Sequence, residues 1–255
     1  MLKLTDISLS SRLSGINVSA SKGKLIHLIG PNGAGKSTLL AVMAGLLTYQ
    51  GKAELAGRDI ARCSGLQLAR LRGYLSQQQE NASMMQVFQY IALHQPQNAS
   101  VEATEQTVAF LAERLDLADK LSRPLTKLSG GEWQRVRLAA IFLQVWPTLN
   151  SESQLLLLDE PMNNLDVAQQ AALDGLLMQF CAEGRTAIVS AHNLNHTLHH
   201  ADEAWLLHDG SLMTAGVTAE VMKPKTLENV FNIGFELFQT NSLSWLIPVE
   251  KNSID

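Results

Sequence analysis

The chain has 255 residues, of which 46% are hydrophobic and 17% are charged, and its formal net charge is -4. This composition is that of a folded globular protein with one large domain or two small ones, and it excludes an intrinsically disordered chain. Because no long run of Lys or Arg occurs, the charge pattern gives no support to a nucleic-acid or anionic-lipid partner.

The first half of the chain alternates between short strand patterns and helical patterns. Residues 2–9 alternate apolar and polar side chains, which predicts a strand with one buried face. An apolar run at 25–30 predicts a buried strand, residues 36–47 predict a helix, and residues 51–57 predict another short strand. Long helical patterns then indicate a mainly helical subdomain over roughly 78–145.

The second half returns to alternating strands and helices. The four leucines at 155–158 predict a second buried strand, and residues 167–183 predict an amphipathic helix that ends at Gly184. A third buried strand is predicted at 186–191, and a hairpin at 204–216. Strands that alternate with helices predict an α/β architecture with a mostly parallel sheet.

The segment GPNGAGKS at 30–37 matches the phosphate-binding pattern G-x-x-x-x-G-K-[ST] between a predicted strand and a predicted helix, which is the context this pattern requires. Its glycines let backbone N–H groups turn toward phosphate oxygens, and the helix dipole favours the same negative charge. Lys36 is expected to reach the β- and γ-phosphates, and Ser37 to bind Mg²⁺. The candidate nucleotide-binding residues are Gly30, Pro31, Asn32, Gly33, Ala34, Gly35, Lys36, Ser37 and Thr38.

The segment LLLLDEP at 155–161 carries two acidic residues to the carboxyl end of a buried strand, where open α/β sheets bind ligands. Asp159 is placed to hold Mg²⁺ through water, and Glu160 to orient and polarise an attacking water. Asp159 is far from Lys36 in sequence, whereas a crossover between parallel strands needs only about a dozen residues. We therefore expect an inserted subdomain, with LSGGEWQRV at 128–136 near its end.

These segments, in this order, resemble the nucleotide-binding subunits of ATP-binding cassette (ABC) transporters over essentially the whole chain. Four further segments extend the resemblance. They are Gln77 in YLSQQQ, with Gln78 and Gln79 leaving its register open, the signature at 128–134, NNLD at 163–166, and His192 in SAHN.

The resemblance implies a P-loop NTPase-type α/β fold with a mostly parallel sheet, an antiparallel N-terminal β region and an inserted helical subdomain. It implies a single ABC ATPase domain over 1–255. The core subdomain would comprise 1–77 and 146–255, and the helical subdomain at 78–145 would carry the signature.

The resemblance also implies a role for each motif, with ATP as the nucleotide. Gln77 would contact Mg²⁺ and sense a membrane partner, His192 would bind the γ-phosphate, and Asp166 would link two nucleotide sites across a dimer. The expected catalytic residues are Glu160, His192 and Gln77, and the expected Mg²⁺ residues are Ser37, Gln77 and, through water, Asp159. The signature of one copy would close over ATP held by another copy through Ser129, Gly130, Gly131 and Glu132.

A narrower resemblance, carried by HLIGPNGAGKSTLLA, LNHTLHHADEAWLL and the long connection at 143–154, is to the ATPase subunits of bacterial cobalamin (vitamin B12) importers. It implies an ATP hydrolase that works as a homodimer on membrane-spanning permease subunits, at the cytoplasmic face of the inner membrane. A periplasmic substrate-binding protein would be an indirect partner, and nucleic acid would not be one. A haem or ferric-siderophore importer is the alternative. A soluble non-transport ABC ATPase is disfavoured by the single cassette and the lack of heptads.

The expected location agrees with the remaining sequence features. Cys63 and Cys181 are far apart in sequence, so a disulfide framework is not expected and a reducing cytoplasm is the default. The N-terminal residues lack the pattern of a secretory signal, and the aliphatic runs are too short to span a bilayer. We therefore expect a soluble chain that docks on another protein.

The sequence departs from most relatives at two points. No aromatic residue precedes Tyr49, so the ring that stacks on adenine is missing and Arg12 or Leu13 is left to pack on the base. Asn193 follows His192 where relatives usually have Asp, which we expect to alter helix capping rather than chemistry.

Three histidines, His196, His199 and His200, fall on a predicted helix. The first and last have the i, i+4 spacing that can bind a metal. Because no acidic residue lies between them and no nearby Cys completes a set, we interpret them as a polar helix surface.

Overall fold

The computed structural model describes residues 1–77, 84–240 and 243–250. The strands are β1 (Leu2–Leu9), β2 (Leu13–Ser19), β3 (Leu25–Ile29), β4 (Gln50–Leu55), β5 (Arg58–Asp59), β6 (Arg72–Leu75), β7 (Leu155–Leu158), β8 (Thr186–Ser190), β9 (Glu203–His208), β10 (Ser211–Val217), β11 (Gly234–Gln239) and β12 (Ser244–Val249). The helices are α1 (Lys36–Met43), α2 (Gly65–Leu71), α3 (Val87–Ala92), α4 (Val101–Arg114), α5 (Gly130–Val145), α6 (Val167–Ala182), α7 (Leu194–His200), α8 (Thr218–Val221) and α9 (Pro224–Phe231).

The central sheet has six strands in the order β10-β9-β3-β8-β7-β6. Strands β9, β3, β8, β7 and β6 run parallel to one another, and β10 pairs with β9 in the antiparallel direction. Every residue of β3, β7 and β8 is buried, as expected for parallel strands that are covered on both faces. The predicted mostly parallel sheet is confirmed. Because the carboxyl ends of these strands share one edge, the motifs that follow them are brought together there.

A second, antiparallel sheet covers the N-terminal region, with strand order β2-β1-β4-β5. Its buried side chains, such as Ile7 and Ile16, pack in one core with Leu39 and Leu40 of α1. The turn between β1 and β2 approaches the segment before α1, because an added Cβ at Gly35 would lie 3.0 Å from the Arg12 carbonyl oxygen. This sheet therefore places residues of its first turn beside the phosphate-binding pattern.

The region between β6 and β7 is mainly helical in the part that the structure describes. Helices α3, α4 and α5 pack in one core with residues of β7 and α6. Helix α5 is buried along most of its length, including Arg135 and Arg137. Each guanidinium reaches backbone oxygens, and Arg135 Nη1 donates to the carbonyls of Leu115 and Asp116 at 2.7 Å. This explains how an apolar helix accommodates two arginines.

The last two described strands form a β11–β12 hairpin that packs on α7. Asn195 Nδ2 donates to the Leu246 carbonyl at 3.0 Å, and Leu246 N donates to Asn195 Oδ1 at 2.7 Å. These paired bonds fix the hairpin to the helix that follows His192. Among the residues described, every helix is too short or too polar to cross a bilayer.

Candidate active site

The segments that follow β3, β6, β7 and β8 meet at one cavity of about 770 Å³. Its lining combines the phosphate-binding pattern with the separately predicted residues Gln77, Glu160 and His192. The full lining is Ser11, Arg12, Asn32, Gly33, Ala34, Gly35, Lys36, Ser37, Thr38, Gln77, Glu160 and His192. Gln78 and Gln79, the alternatives to Gln77, lie outside the described residues.

The loop between β3 and α1 depends on glycine at defined points. Gly30 has a φ of 147°, and a Cβ there would lie 2.2 Å from the Leu207 carbonyl oxygen. Gly35 has a φ of 99° and is the N-cap of α1, where no side chain caps the helix. The first N–H groups of α1 are therefore left for a ligand, and phosphate is the ligand that such a helix start favours.

The Lys36 ammonium lies over this loop. Its Nζ donates to the carbonyls of Gly30 and Pro31, at 2.7 and 2.9 Å. Burial lowers the pKa of Lys36, while the nearby carboxylates of Glu160 and Asp159 act in the opposite direction. A phosphate oxygen would offer this ammonium a charge-assisted hydrogen bond that is stronger than one to a neutral carbonyl.

Asp159 lies beneath the cavity rather than on its surface. It is 2% exposed, and its Oδ1 accepts a hydrogen bond from Ser190 Oγ at 2.6 Å. Ser190 Oγ in turn accepts from Glu160 N at 2.8 Å. This position suits contact with a cation through water rather than directly. Sequence reasoning missed Ser190, whose only signal is its place at the end of β8, two residues before His192.

Three side chains from separate segments converge on the Glu160 carboxylate. Gln77 Nε2 and Asn163 Nδ2 donate to Glu160 Oε2 at 2.7 and 2.8 Å. His192 Nε2 contacts Glu160 Oε1. Burial alone would raise the pKa of Glu160, but hydrogen bonds from His192, Asn163 and Gln77 outweigh it and hold the pKa below its usual range. The carboxylate is therefore ionised and held in place at neutral pH.

Asn193, which the sequence predicts to alter the capping of this helix, forms an ordinary N-cap of α7. Its side chain accepts a hydrogen bond from His196 N at 3.0 Å. Asn satisfies the first turn of the helix in the way that Asp would, without adding a negative charge. His192, immediately before the cap, is thereby held at a fixed helix start.

The signature residues lie outside this cavity: of the described residues that line it, none belongs to 129–132. Ser129 and Glu132 form a capping box, in which Glu132 Oε2 accepts from Ser129 N at 2.8 Å and Ser129 Oγ accepts from Glu132 N at 3.3 Å. The two glycines that follow Ser129 differ in the space around them. A Cβ at Gly131 would lie 2.6 Å from the Asn164 carbonyl oxygen, whereas a Cβ at Gly130 would meet no atom within 4 Å.

Helix α5 is joined to both sides of the Glu160 cluster by a buried polar chain. Gln134 Nε2 donates to the Pro161 carbonyl at 3.0 Å, and Arg137 Nη1 donates to Gln134 Oε1 at 3.0 Å. Arg137 Nη2 also donates to the carbonyl of Ser76, the residue before Gln77. Sequence reasoning missed this chain, although a polar QR-x-R run in an apolar helix was its visible signal.

The residues expected to hold Mg²⁺ lie in or directly beneath the cavity. Ser37 and Gln77 line the cavity and Asp159 lies below it, so the donors are oxygen atoms of the kind that a hard cation prefers. Arg12 lines the cavity, but Leu13 is 1% exposed within the core and does not. Only Arg12 of this pair is placed to meet a base.

Asp166, expected to link two sites, is exposed and caps helix α6. Its Oδ1 accepts a hydrogen bond from Gln169 N at 2.9 Å. It does not line the cavity, so any contact that it makes with a nucleotide site lies beyond the cavity of its own chain.

Comparison with known proteins identifies close relatives over nearly the full chain. The ABC transporter family model matches residues 13–163. The chain is 53% identical over 247 residues to the vitamin B12 import ATP-binding protein BtuD of Yersinia enterocolitica, covering 97% of this chain and 98% of that protein. It is 52% identical over 246 residues to the protein of that name from Pectobacterium atrosepticum, covering 96% and 98%. For the Escherichia coli protein, identity is 46% over 235 residues, covering 92% and 93%.

Solved structures share the fold at lower identity. An ATP-binding subunit of an ABC transporter superposes with a TM-score of 0.80 and 22% identity, covering 91% of this chain and 98% of that one. The cbiO1 protein of Clostridium perfringens, part of the ABC transporter complex cbiONQ, superposes with a TM-score of 0.72 and 24% identity, covering 91% and 94%. At these identities the likeness supports the fold alone.

Proposed function

The chain belongs to the ABC transporter family, and we propose that it is the ATP-hydrolysing subunit of a vitamin B12 importer. The observation that carries the hydrolytic role is the convergence of three donors on the ionised Glu160 carboxylate, at the edge of a cavity lined by the phosphate loop. The transported substrate rests on the 53% identity with the Yersinia enterocolitica protein over 97% of the chain.

Binding of ATP follows from the loop geometry. The N–H groups at the start of α1 and the Lys36 ammonium would receive the phosphates. Mg²⁺, held by Ser37, Gln77 and, through water, Asp159, would neutralise charge on the phosphate oxygens. These residues are proposed from the motif and from their place in or directly beneath the cavity.

Hydrolysis needs a group that fixes the attacking water. The ionised Glu160 carboxylate can only accept hydrogen bonds, and one of its oxygens already accepts from both Gln77 and Asn163. A remaining acceptor position of the carboxylate would therefore orient a water molecule. The carboxylate would act as a general base toward a proton of that water as the water attacks the γ-phosphate. His192, which shares the carboxylate, would hydrogen-bond the same phosphate.

A second copy of the chain is proposed to complete the site. Ser129, Gly130 and Asp166 are exposed and do not line the cavity of their own chain. The start of α5 presents N–H groups beside a glycine with open space around it, which suits an approaching phosphate. We therefore assign the signature to ATP that is bound by the other copy, with Gly131 and Glu132 supporting the shape of that helix start.

The remaining partners are proposed from the family. The chain would dock on membrane-spanning permease subunits at the cytoplasmic face of the inner membrane, and a periplasmic substrate-binding protein would deliver the substrate to those subunits. Residues 78–145 would form the helical subdomain, and 1–77 with 146–255 the core subdomain.

The test is to copurify the chain with its membrane subunits, reconstitute the complex in vesicles and measure ATP hydrolysis with candidate substrates. Cobalamin delivered by its binding protein should stimulate hydrolysis and accumulate in the vesicles, and Glu160→Gln should abolish both. Stimulation by haem or a ferric siderophore but not by cobalamin would replace the proposed substrate. Substrate-dependent uptake without ATP hydrolysis would remove the ATPase assignment.

A further inference from the structure

Away from the nucleotide cavity, Asp174 of α6 and His196 and His200 of α7 form a compact cluster. One carboxylate oxygen and two ring nitrogens, one ligand atom from each residue, all lie within 4.8 Å of one another. We propose that this cluster binds a divalent transition-metal ion of the Zn²⁺ class and that the ion joins α6 to α7. The proposal is independent of the function proposed above.

The spacing of the donor atoms suits tetrahedral coordination. Asp174 Oδ2 lies 3.0 Å from His196 Nε2 and 3.7 Å from His200 Nδ1. With metal–ligand bonds of about 2.0–2.1 Å, neighbouring ligand atoms around tetrahedral zinc are about 3.3 Å apart. The two ring nitrogens also lie within 4.8 Å of each other, and binding would draw the three atoms toward that common separation.

The Asp174 carboxylate is buried and incompletely hydrogen-bonded. The residue is 6% exposed, and its Oδ1 has no hydrogen-bond partner among the described residues. Its other oxygen accepts from His196 Nε2. A buried carboxylate with one unpaired oxygen is costly, and a cation bound to this carboxylate would offset that cost.

The two histidine ligands are stacked beside the carboxylate. The rings of His196 and His200 have centroids 4.4 Å apart, and the ring of His27 stacks on His196 with centroids 5.6 Å apart. The two ligand rings thereby lie side by side next to Asp174.

The cluster has an entry path and an open position. The side chain of His200 is 38% exposed and that of His196 is 18% exposed, while Asp174 is buried. An ion can therefore arrive from solvent on the His200 side and keep a water as its fourth ligand. Two imidazoles and one carboxylate suit Zn²⁺ and similar metals, whereas Mg²⁺ and Ca²⁺ prefer oxygen donors alone.

The ion would connect two segments of the candidate active site. Helix α6 begins directly after Asp166, and α7 begins directly after His192 and its cap. A cavity of about 190 Å³ lies between the cluster and the Glu160 site, and its lining includes His27, His196 and Glu160. A metal bridge would fix α6 against α7 and so restrict relative movement of Asp166 and His192.

The test uses the full chain without a histidine tag, stripped with a chelator and free of nucleotide. Zn²⁺ is titrated in competition with a chromophoric chelator, and Co²⁺ is added separately to record the visible absorption of a tetrahedral site. We expect one Zn²⁺ per chain. His196→Ala and His200→Ala should each weaken Zn²⁺ binding by about 10- to 100-fold or more. In other metal sites, losing a residue that only hydrogen-bonds to a ligand already has an effect of this size.

The matched control is His199→Ala on the same helix. His199 Nε2 donates to the Ser244 carbonyl at 2.6 Å and its ring contacts Trp245, so it lies outside the cluster. This variant should bind Zn²⁺ like the parent chain. Since His200 is partly exposed, His200→Ala should fold even if an Asp174 variant does not. Zn²⁺ should raise the Tm of the parent and of His199→Ala but not of His200→Ala.

Three results would overturn the proposal. The first is the absence of saturable Zn²⁺ binding by the parent chain. The second is undiminished binding by His200→Ala, which would place the ion elsewhere, for example at His192 and Glu160. The third is an equal loss in His199→Ala, which would show that binding depends on helix α7 as a whole rather than on these ligands.

Discussion

The phosphate-loop cavity and the signature turn at the start of α5 use glycine and helix N-termini in opposite ways. Around the cavity, side chains from three strand ends bond to one another, and Glu160 alone contacts three other side chains. At the signature, Ser129 and Glu132 cap the start of α5 through each other's backbone N–H groups, and Gly130 faces open space. The Glu132 carboxylate also lies 3.7 Å from Arg123 Nη1. One region is organised to act on a ligand within its own chain, and the other to present a surface.

This difference fits the proposal that two copies of the chain divide the site between them. A region that awaits a partner must be folded without it, so its shape is held by local capping and by the buried helix behind it. The capping box and the buried side of α5 provide this support.

Replacing Glu160 should produce the largest effect. Glu160→Gln keeps the size of the side chain and its acceptor oxygen but removes the negative charge that we propose orients and deprotonates water. We expect turnover to fall about 10²- to 10⁴-fold, the usual contribution of a general base, with ATP binding retained. Phosphate release and equilibrium nucleotide binding measure the two effects. Turnover near that of the parent would take Glu160 out of its proposed role.

Blocking the signature surface tests whether the two regions belong to different sites. Ser129→Arg places a long side chain on that surface and should reduce hydrolysis on the order of 10²-fold, the scale of losing a single transition-state donor. Nucleotide affinity of the monomer should not change, because Ser129 does not line the cavity. Ser129→Thr, which still caps the helix, is the control. A loss of monomer affinity would mean that the signature acts within its own chain.

Alanine substitutions at the two signature glycines form a matched pair of variants. Gly131→Ala would bring a Cβ to 2.6 Å from the Asn164 carbonyl oxygen, while Gly130→Ala would meet nothing within 4 Å. Overpacking of this kind costs about 1–3 kcal/mol, so Gly131→Ala should lower the free energy of unfolding by that amount and Gly130→Ala should leave it nearly unchanged. Urea unfolding measures both. Equal stability of the two variants would contradict the close contact with Asn164.

A smaller effect is expected on pH dependence. Because hydrogen bonds hold the pKa of Glu160 below its usual range, this group favours the folded state above its unfolded pKa, and that contribution is lost as the pH falls through the folded-state pKa. Asn163→Ala removes one donor and should move the acidic limb of the kcat profile to higher pH. Gln169→Ala, whose side chain bonds Asp166 N rather than this carboxylate, should leave the limb in place. An unmoved limb in Asn163→Ala would show that this bond does not tune Glu160.

The sequence predicted the parts of the fold that are marked by composition. Runs of buried residues identified β3, β7 and β8, and their parallel arrangement explains why motifs distant in sequence share one cavity. Strand β6 was not predicted, because RGYL has no strand pattern of its own and acquires one by pairing with β7. The predicted helix at 36–47 ends at Met43, since Gly45 adopts a φ of 73°.

It was harder to predict which side chains contact one another than to predict where each residue lies in the fold. The sequence placed Glu160 and His192 at strand ends, but the bond from Asn163 to the same carboxylate depends on the turn after β7. Likewise, the sequence around His196 and His200 shows no third ligand. Asp174 supplies it from α6, a contact created by tertiary packing that no local spacing records.

The arrangement around Glu160 also has a consequence for timing. The three donors follow three different strands: Gln77, Asn163 and His192. They reach the carboxylate together only when all three segments are correctly positioned. Displacement of any one would alter the direction and basicity of the same two oxygen atoms. Glu160 would thus be fully oriented only when all three segments are in place. The rate of hydrolysis would then be limited by the segment that reaches its position last.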